Sequence, residues 1–276
     1  MKKILFPTDY SKSAHHAFQY AVNLCELLDA ELIIFHACHI NAYAYQLTTE
    51  EVDEDFILEK AKLQLNKFCN DHSAEFKNIK ITQVVEYGLA VDAIKDTVHQ
   101  LNIDLIVMGT KGADSIASKL IGSNTIRVIE KSDCPVLAIP DKSKFKKFNK
   151  IAFATDYRET DTESIILLAA FASLFNAKII IVHVAEFLVP ENYENSLFEV
   201  FMDDVKKNVF YKNVTFQILK GVNKSKTFSE FVEEHNIDLI AVATRKKNIF
   251  IKMFDSSFTK KIAYHSNIPL LAFHTK

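Results

Sequence analysis

Glycine is scarce in this sequence, 5 residues in 276, against about 7% in an average soluble protein. A chain this poor in glycine keeps it where the backbone geometry requires it. Cysteine is also rare. Cys25, Cys38, Cys69 and Cys134 show no paired spacing, which argues against a disulfide framework and fits a reducing compartment. No apolar run reaches the ~18 residues of a membrane span; the longest, about Ile165 to Phe175, holds Ser173. Pro7 and Asp9 come too early for the apolar region of a signal peptide, so a cytoplasmic protein without membrane contact is expected. The 33 basic and 35 acidic residues leave a net charge of −2, so no basic field points to nucleic acid. No Gly-x-x-x-x-Gly-Lys-Ser/Thr loop and no Gly-x-Gly-x-x-Gly fingerprint after the first strand is present. A motor ATPase and a nicotinamide dehydrogenase are disfavoured on that ground.

The sequence does hold a repeat. Lys3-Ile4-Leu5-Phe6-Pro7-Thr8-Asp9-Tyr10 returns as Lys150-Ile151-Ala152-Phe153-Ala154-Thr155-Asp156-Tyr157, and the same offset pairs Ala30 with Ala177 and His36 with His183. Asn102-Ile103-Asp104-Leu105-Ile106 returns as Asn236-Ile237-Asp238-Leu239-Ile240, after which Ser123, Thr125, Ser132 and Pro135 align with Ser257, Thr259, Ser266 and Pro269. The second copy is therefore shorter between its second strand and this motif. A tandem duplication explains the order and extent of the match. Domains are expected at 1–143 and 148–276, joined by the Lys-rich stretch Asp141 to Phe148. That stretch reads as a solvated linker, although its charge could also attract an anion.

Each half alternates strand and helix. Ile4–Pro7, Leu32–Ala37, Ile79–Glu86, Ile103–Met108 and Val136–Ile139 read as strands, most of them near-continuously apolar. Helices are expected after Ser11 or Ser13, after the capping box Thr48 to Glu51 and running to about Cys69, over Ala90–Leu101 and over Ser123–Lys131. Apolar strands separated by helices imply a parallel sheet covered on both faces. The expected fold is α/β: two doubly wound parallel-sheet domains, Rossmann-like or flavodoxin-like, in tandem.

Three of the five glycines fall together. Gly109 ends the fourth strand, Gly112 follows, and Gly122-Ser123 opens the last helix. In an open α/β sheet ligands bind beyond the carboxyl ends of the strands. Glycine there lets the backbone approach a ligand, and a helix opening at Ser123 offers free N–H groups and partial positive charge to phosphate oxygens. Ser123 and Thr125 would add hydroxyl donors. Asp9, across the crevice at the end of strand one, could accept from a ribose or an adenine. The same glycines could also serve turns alone.

The spacing Gly109-x2-Gly112-x9-Gly122-Ser123 resembles the nucleotide motif of the ATP-binding universal stress proteins. Ile4-Leu5-Phe6-Pro7-Thr8-Asp9, the strand ending at His36 and Cys134-Pro135-Val136-Leu137 also resemble that family, once per half. The resemblance implies an adenine nucleotide, ATP or AMP with or without Mg²⁺, as the partner of the first half. It implies that Asp9 and Ala37 contact the nucleoside, that Pro7 and Thr8 line its pocket, and that Met108 and Gly109 lie beside ribose and phosphate. Gly112, Gly122, Ser123, Asn124 and Thr125 would hold the phosphates. Ala37 is smaller than the branched residue usual there, which would loosen adenine packing.

In the second half the three glycines become Ala243, Lys246 and Ser256, whereas Asp156, Ser257 and Thr259 remain. That site is expected to be degenerate. A Cβ at each former glycine narrows the phosphate cradle, and the Lys246 side chain could fill it; Arg245-Lys246-Lys247 could instead hold an anion but reads more readily as exposed loop charge. His36 and His183 are expected to be hydrogen-bonded structural residues at the rim. Adjacent His15 and His16 point apart on a helix and suggest no metal site. Cys134 reads as a small buried hydrophobe. No Ser-His-Asp order or carboxylate pair with defensible geometry emerges, so no catalytic residue and no metal ligand is assigned. Glu191 to Glu194 reads as a remnant of the shortened crossover. The expected function is a nucleotide-responsive stress-response module. The alternatives are a structural or partner-binding protein without turnover, or a slow ATP-hydrolysing enzyme. The halves are expected to pair as a pseudo-dimer through their last strands, at Pro135 and Pro269, with a homodimer and a further protein partner left open.

Overall fold

A computed structural model describes residues 1–39, 53–76, 78–111, 122–185, 190–245 and 267–275. In the first half β1 (Lys3–Pro7) leads to α1 (Lys12–Leu28), β2 (Glu31–Cys38), α2 (Glu54–Asp71), β3 (Ile81–Tyr87), α3 (Ala90–Leu101), β4 (Leu105–Gly109), α4 (Ser123–Lys131) and β5 (Val136–Ile139). The second half runs through β6 (Lys150–Ala154), α5 (Glu159–Ser173), β7 (Lys178–Ala185), α6 (Glu191–Asn208), β8 (Val214–Lys220), α7 (Lys224–Glu234), β9 (Leu239–Arg245) and β10 (Leu270–Thr275). Among the described residues no helix is long and apolar enough to cross a membrane.

The strands form one sheet in the order β3-β2-β1-β4-β5-β10-β9-β6-β7-β8. Every pairing is parallel except the central one, where Leu270, Leu271 and Ala272 of β10 run antiparallel to Ala138, Leu137 and Val136 of β5. The α/β fold expected from the sequence is therefore present, but its two parallel blocks are fused edge to edge through the last strands. Pairing these edges removes two rows of exposed backbone groups. Alternate residues serve opposite faces, as the strand period demands. Ile4 and Phe6 pack with α1, α2, α5 and α6 in one cluster, and Leu5 packs with α3, α4 and α7 on the other side.

The backbone repeats more faithfully than the side chains. Tyr10 and Tyr157 both take positive φ (60° and 58°), as do the helix-end pairs Asp29 and Asn176, and Asn102 and Asn236. The repeated Asn-Ile-Asp motif has a clear task. Asp104 Oδ2 accepts from the Lys2 and Lys3 N–H groups (2.6 and 3.0 Å); Asp238 Oδ2 accepts from those of Asn149 and Lys150 (2.8 and 2.9 Å). Each carboxylate thus holds the start of its half's first strand, and β4 begins only after it, at Leu105.

Several boundaries move. Ser11, not Ser13, caps α1, accepting from the Ala14 N–H at 3.1 Å. Ile79 donates to Phe76 in a turn, so β3 starts at Ile81. Thr48 to Glu51 lies outside the described residues, and the helix as described opens at Glu54 behind the cap Asp53. Glu191 to Glu194 is not a remnant. It is the first turn of α6, a helix of 18 residues like α2. Much of the shortening lies instead in the connection before it, which spans 39–53 in the first half and 186–190 in the second.

The stretch after Asp141 is only partly a solvated linker. Phe148 is fully buried, with its ring 5.0 Å from Phe175 and 5.8 Å from Phe171. Phe145 sits edge-on to Tyr20 at 4.9 Å. Two aromatic residues among the lysines anchor the connection to helices of both halves.

Candidate functional site

In the first half the crevice opens beyond the carboxyl ends of β1 and β4, which are neighbours in the sheet. Pro7 ends β1. Thr8 is buried, and its N–H continues the ladder to the Phe35 carbonyl at 2.8 Å. Its hydroxyl accepts from the Tyr10 N–H (3.0 Å), and its carbonyl meets His36 Nδ1 (2.9 Å). The Tyr10 backbone turns left-handed at this point and sets Asp9 on the surface, where Oδ1 accepts from the Ser11 N–H at 3.0 Å. The His36 ring packs on Tyr10 (4.7 Å), and Tyr10 on Phe68 (5.7 Å). His36 therefore ties β1 to β2, as a structural rim residue would. Ala37, one residue on, is partly exposed and pairs with Glu86 of β3.

From the opposite side, Met108 and Gly109 end β4, both buried. The Thr110 carbonyl accepts from the Gly122 N–H at 2.6 Å, which brings the end of β4 to the start of α4. Gly122 is the N-cap of that helix, and no side chain caps it. Ser123 and Asn124 are exposed on the first turn. A helix start of this kind carries N–H groups without intrahelical acceptors. Thr125 differs from its expected role. It is 3% exposed and donates its hydroxyl to the Gly109 carbonyl at 2.9 Å, so that donor is spent inside the protein.

Gly109 also has a reason other than a ligand. A Cβ there would lie 2.6 Å from Ser13 Oγ and 2.8 Å from the Ser13 carbonyl oxygen. The close approach it permits is between β4 and α1. Beyond it, Lys111 donates its N–H to Ser13 Oγ at 3.3 Å and pairs with Asp141 at 2.8 Å. Burial pushes the Asp141 carboxyl up, but Lys111 and Ser13 outweigh it and hold the group below the usual range. Gly112 lies outside the described residues. The structure thus brings Pro7, Thr8, Asp9, Ala37, Met108, Gly109, Gly122, Ser123, Asn124 and Thr125 to one end of the sheet around β1, β2, β4 and α4.

The second half keeps the frame and fills it differently. The His183 Nδ1–Thr155 carbonyl contact recurs at 2.8 Å, and the Tyr157 N–H bonds to the Thr155 hydroxyl at 2.9 Å. Where the first half has Ala14, however, Asp161 is buried and accepts from the Thr155 hydroxyl (2.7 Å) and from the Asp156 and Arg158 N–H groups (3.3 Å each). Burial pushes its carboxyl up. Tyr157 stacks on His183 at 4.0 Å. Glu194 of α6 brings Oε1 to 3.0 Å from His183 Nε2, with the two side chains 10% and 8% exposed. Burial first, and then the Glu194 carboxylate, push the Tyr157 hydroxyl up. A reading of Glu191 to Glu194 as a remnant misses this residue. No local pattern in the sequence marks it, because the contact depends on where the first turn of α6 lies against His183. Ala243 lies within β9, two residues before its end, and pairs with Phe273 of β10; Lys246, Ser256, Ser257 and Thr259 lie outside the described residues.

All four cysteines are free, and Cys134 is buried, its thiol pushed up to about 12 mainly by that burial. His15 and His16 diverge as expected, His15 toward the His72 ring (4.9 Å) and His16 Nε2 toward the Ser143 carbonyl.

Comparison with known proteins identifies the family and the fold. The model of the universal stress protein family matches residues 1–140 and again 147–274. The chain is 30% identical over 146 residues to universal stress protein MJ0531 of Methanocaldococcus jannaschii, covering 52% of this chain and 84% of that protein. It is 30% identical over 139 residues to universal stress protein Sll1654 of Synechocystis sp., covering 50% and 85%. The crystal structure of a universal stress protein from Archaeoglobus fulgidus superposes with a TM-score of 0.69 at 20% identity, over 99% of this chain and 96% of that one. The relatives match about half of this chain, while the fold matches all of it, as a duplicated domain requires. With the family matched over both halves and the tandem fold shared, the chain belongs to the universal stress protein family.

Proposed function

We propose that the first half binds one adenine nucleotide per chain, ATP or AMP, and that the second half does not. The observation carrying this reading is the convergence at β4 and α4. The Thr110–Gly122 hydrogen bond sets an uncapped helix start, with Ser123 and Asn124 exposed, beside the ends of β1 and β4. That arrangement suits phosphate oxygens. Asp9, Ala37, Pro7 and Thr8 would meet the nucleoside, and Met108 and Gly109 the ribose. Gly112, Gly122, Ser123 and Asn124 would meet the phosphates, and Thr125 would orient the strand end through Gly109 rather than donate to the ligand. In the second half, Glu194 and Tyr157 lie against His183. A buried carboxylate is a poor neighbour for an anionic ligand.

The consequence is a module whose state follows adenine nucleotide concentration in the cytoplasm, without turnover as its purpose. The domains would divide at 1–143 and 148–276, the first nucleotide-binding and the second degenerate. Calorimetric titration with ATP and with AMP, each with and without Mg²⁺, tests this. One site per chain is expected. Gly122→Val should abolish it without unfolding the protein, because φ −61° and ψ 147° at Gly122 suit any residue. Ser256→Val should leave it unchanged. Two equivalent sites, or equal loss from both substitutions, would sink the proposal.

A further inference from the structure

The chain just past β4 is pinned on three sides. The Thr110 N–H donates to the Ile139 carbonyl (3.1 Å), the Thr110 carbonyl accepts from the Gly122 N–H (2.6 Å), and the Lys111 N–H donates to Ser13 Oγ (3.3 Å). β5, the start of α4 and α1 thus fix the backbone at Lys111 beside the uncapped helix start, and leave its side chain to choose a partner. Among the described residues at this end of β4 and in the first turn of α4, Lys111 is the basic one. A lysine carries its charge on a flexible stem of about 6 Å, long enough to cover the space in front of Gly122 and Ser123.

Its partner lies on the other side. Lys111 Nζ is 2.8 Å from Asp141 Oδ2, just past β5, and each side chain is 36% exposed. Burial opposes the charge on Asp141, but Lys111 and Ser13, which bonds the same carboxylate, outweigh it. An exposed pair of this kind moves an equilibrium by no more than about fivefold, so it can be given up for a stronger partner. A phosphate at a helix start is one, because there a dianion meets the lysine, the free N–H groups and the partial positive charge together. Asp141 would keep Ser13 and solvent when Lys111 leaves. The repeat puts Arg245 and Thr275 at these two positions in the second half. There the basic residue is retained and the carboxylate is not, so the carboxylate accompanies only the half that keeps its glycines.

We propose that Lys111 is a phosphate-binding side chain and that Asp141 is its built-in competitor. Nucleotide binding exchanges one partner of Lys111 for the other, and Asp141 sets the affinity. The inference rests on the nucleotide reading of the first half and gives that site a tuning residue outside the glycine spacing.

Calorimetric titration of ATP into the full chain, Lys111→Met, Asp141→Asn and the double variant tests it, at about 0.15 M salt to screen longer-range charge. Asp141→Asn should tighten binding about threefold, and Lys111→Met should weaken it at least about fivefold. In the Lys111→Met background, Asp141→Asn should change affinity by less than about 1.5-fold, because the two substitutions act on one contact. Both side chains lie partly in solvent, so the variants should fold, which thermal unfolding checks. Unchanged or weaker binding in Asp141→Asn overturns the exchange, as does an equal gain with and without Lys111. Unchanged affinity in Lys111→Met overturns the phosphate role. If the parent binds ATP and these effects are absent, the inference alone fails. If the parent binds neither ATP nor AMP at millimolar concentration, the nucleotide reading fails and takes the inference with it.

Discussion

Gly109 and Ser13 stand so close that a single methyl group on residue 109 would sit 2.8 Å from the Ser13 carbonyl oxygen. That atom belongs to the backbone of α1 and cannot step aside as a flexible side chain would. Gly109→Ala should therefore force α1 off β4 and cost about 1–3 kcal/mol, as overpacking does. Ala243→Gly, at the matching position of β9, relieves no such contact and should cost less than about 1 kcal/mol. Urea unfolding of both variants decides it; equal effects would refute the packing explanation.

Phe148 should matter more than its place in a Lys-rich connection suggests. Its side chain is fully buried against Phe171 and Phe175. Phe148→Ala removes a large core side chain at the junction and should cost about 3–5 kcal/mol. Guanidinium titration would read this as a fall in midpoint. A change under about 1 kcal/mol would mean that the connection is solvated after all.

Asp238 links stability to pH. Burial raises its carboxyl, but Lys146 and the Asn149 and Lys150 N–H groups outweigh burial and leave the folded value below the ordinary 3.8. A carboxylate lowered in the folded state stabilises above its unfolded value, and that stabilisation is lost as pH falls through the folded one. Asp238→Asn should thus cost about 1–3 kcal/mol near neutrality and lose part of the steep fall in stability below pH ~3.8. Unfolding midpoints from pH 7 to pH 2 would show it. Parallel pH profiles for parent and variant would count against it.

The thiols should react unequally. Burial pushes Cys25 and Cys134 up to about 12 and Cys69 to about 11. Cys38, half-buried at the end of β2, is also raised but has access to solvent, and reactivity follows thiolate character and exposure. A chromogenic disulfide reagent at pH 8 should label one thiol quickly, lost in Cys38→Ser, and the other three only on unfolding. Two or more fast thiols would contradict the buried placement.

The amino-acid order by itself determined what depends on neighbours along the chain. The Ala90–Leu101 and Ser123–Lys131 helices stand where their periodicity puts them. The apolar runs became strands, and the duplicated motifs became duplicated strands with the same left-handed turns at Tyr10 and Tyr157. Periodicity, capping and repetition are local, so they can be read without a fold. The tertiary structure alone decided what depends on groups far apart in sequence. Gly109 is required by Ser13, Phe148 is held by Phe175, and Thr125 spends its hydroxyl on Gly109. Glu194 reaches His183 only because α6 begins at Glu191 and passes over β7. A spacing pattern shows that a glycine or a carboxylate is present. Whether it faces a ligand, a helix or a histidine is set by the packing of elements whose separation no local pattern encodes.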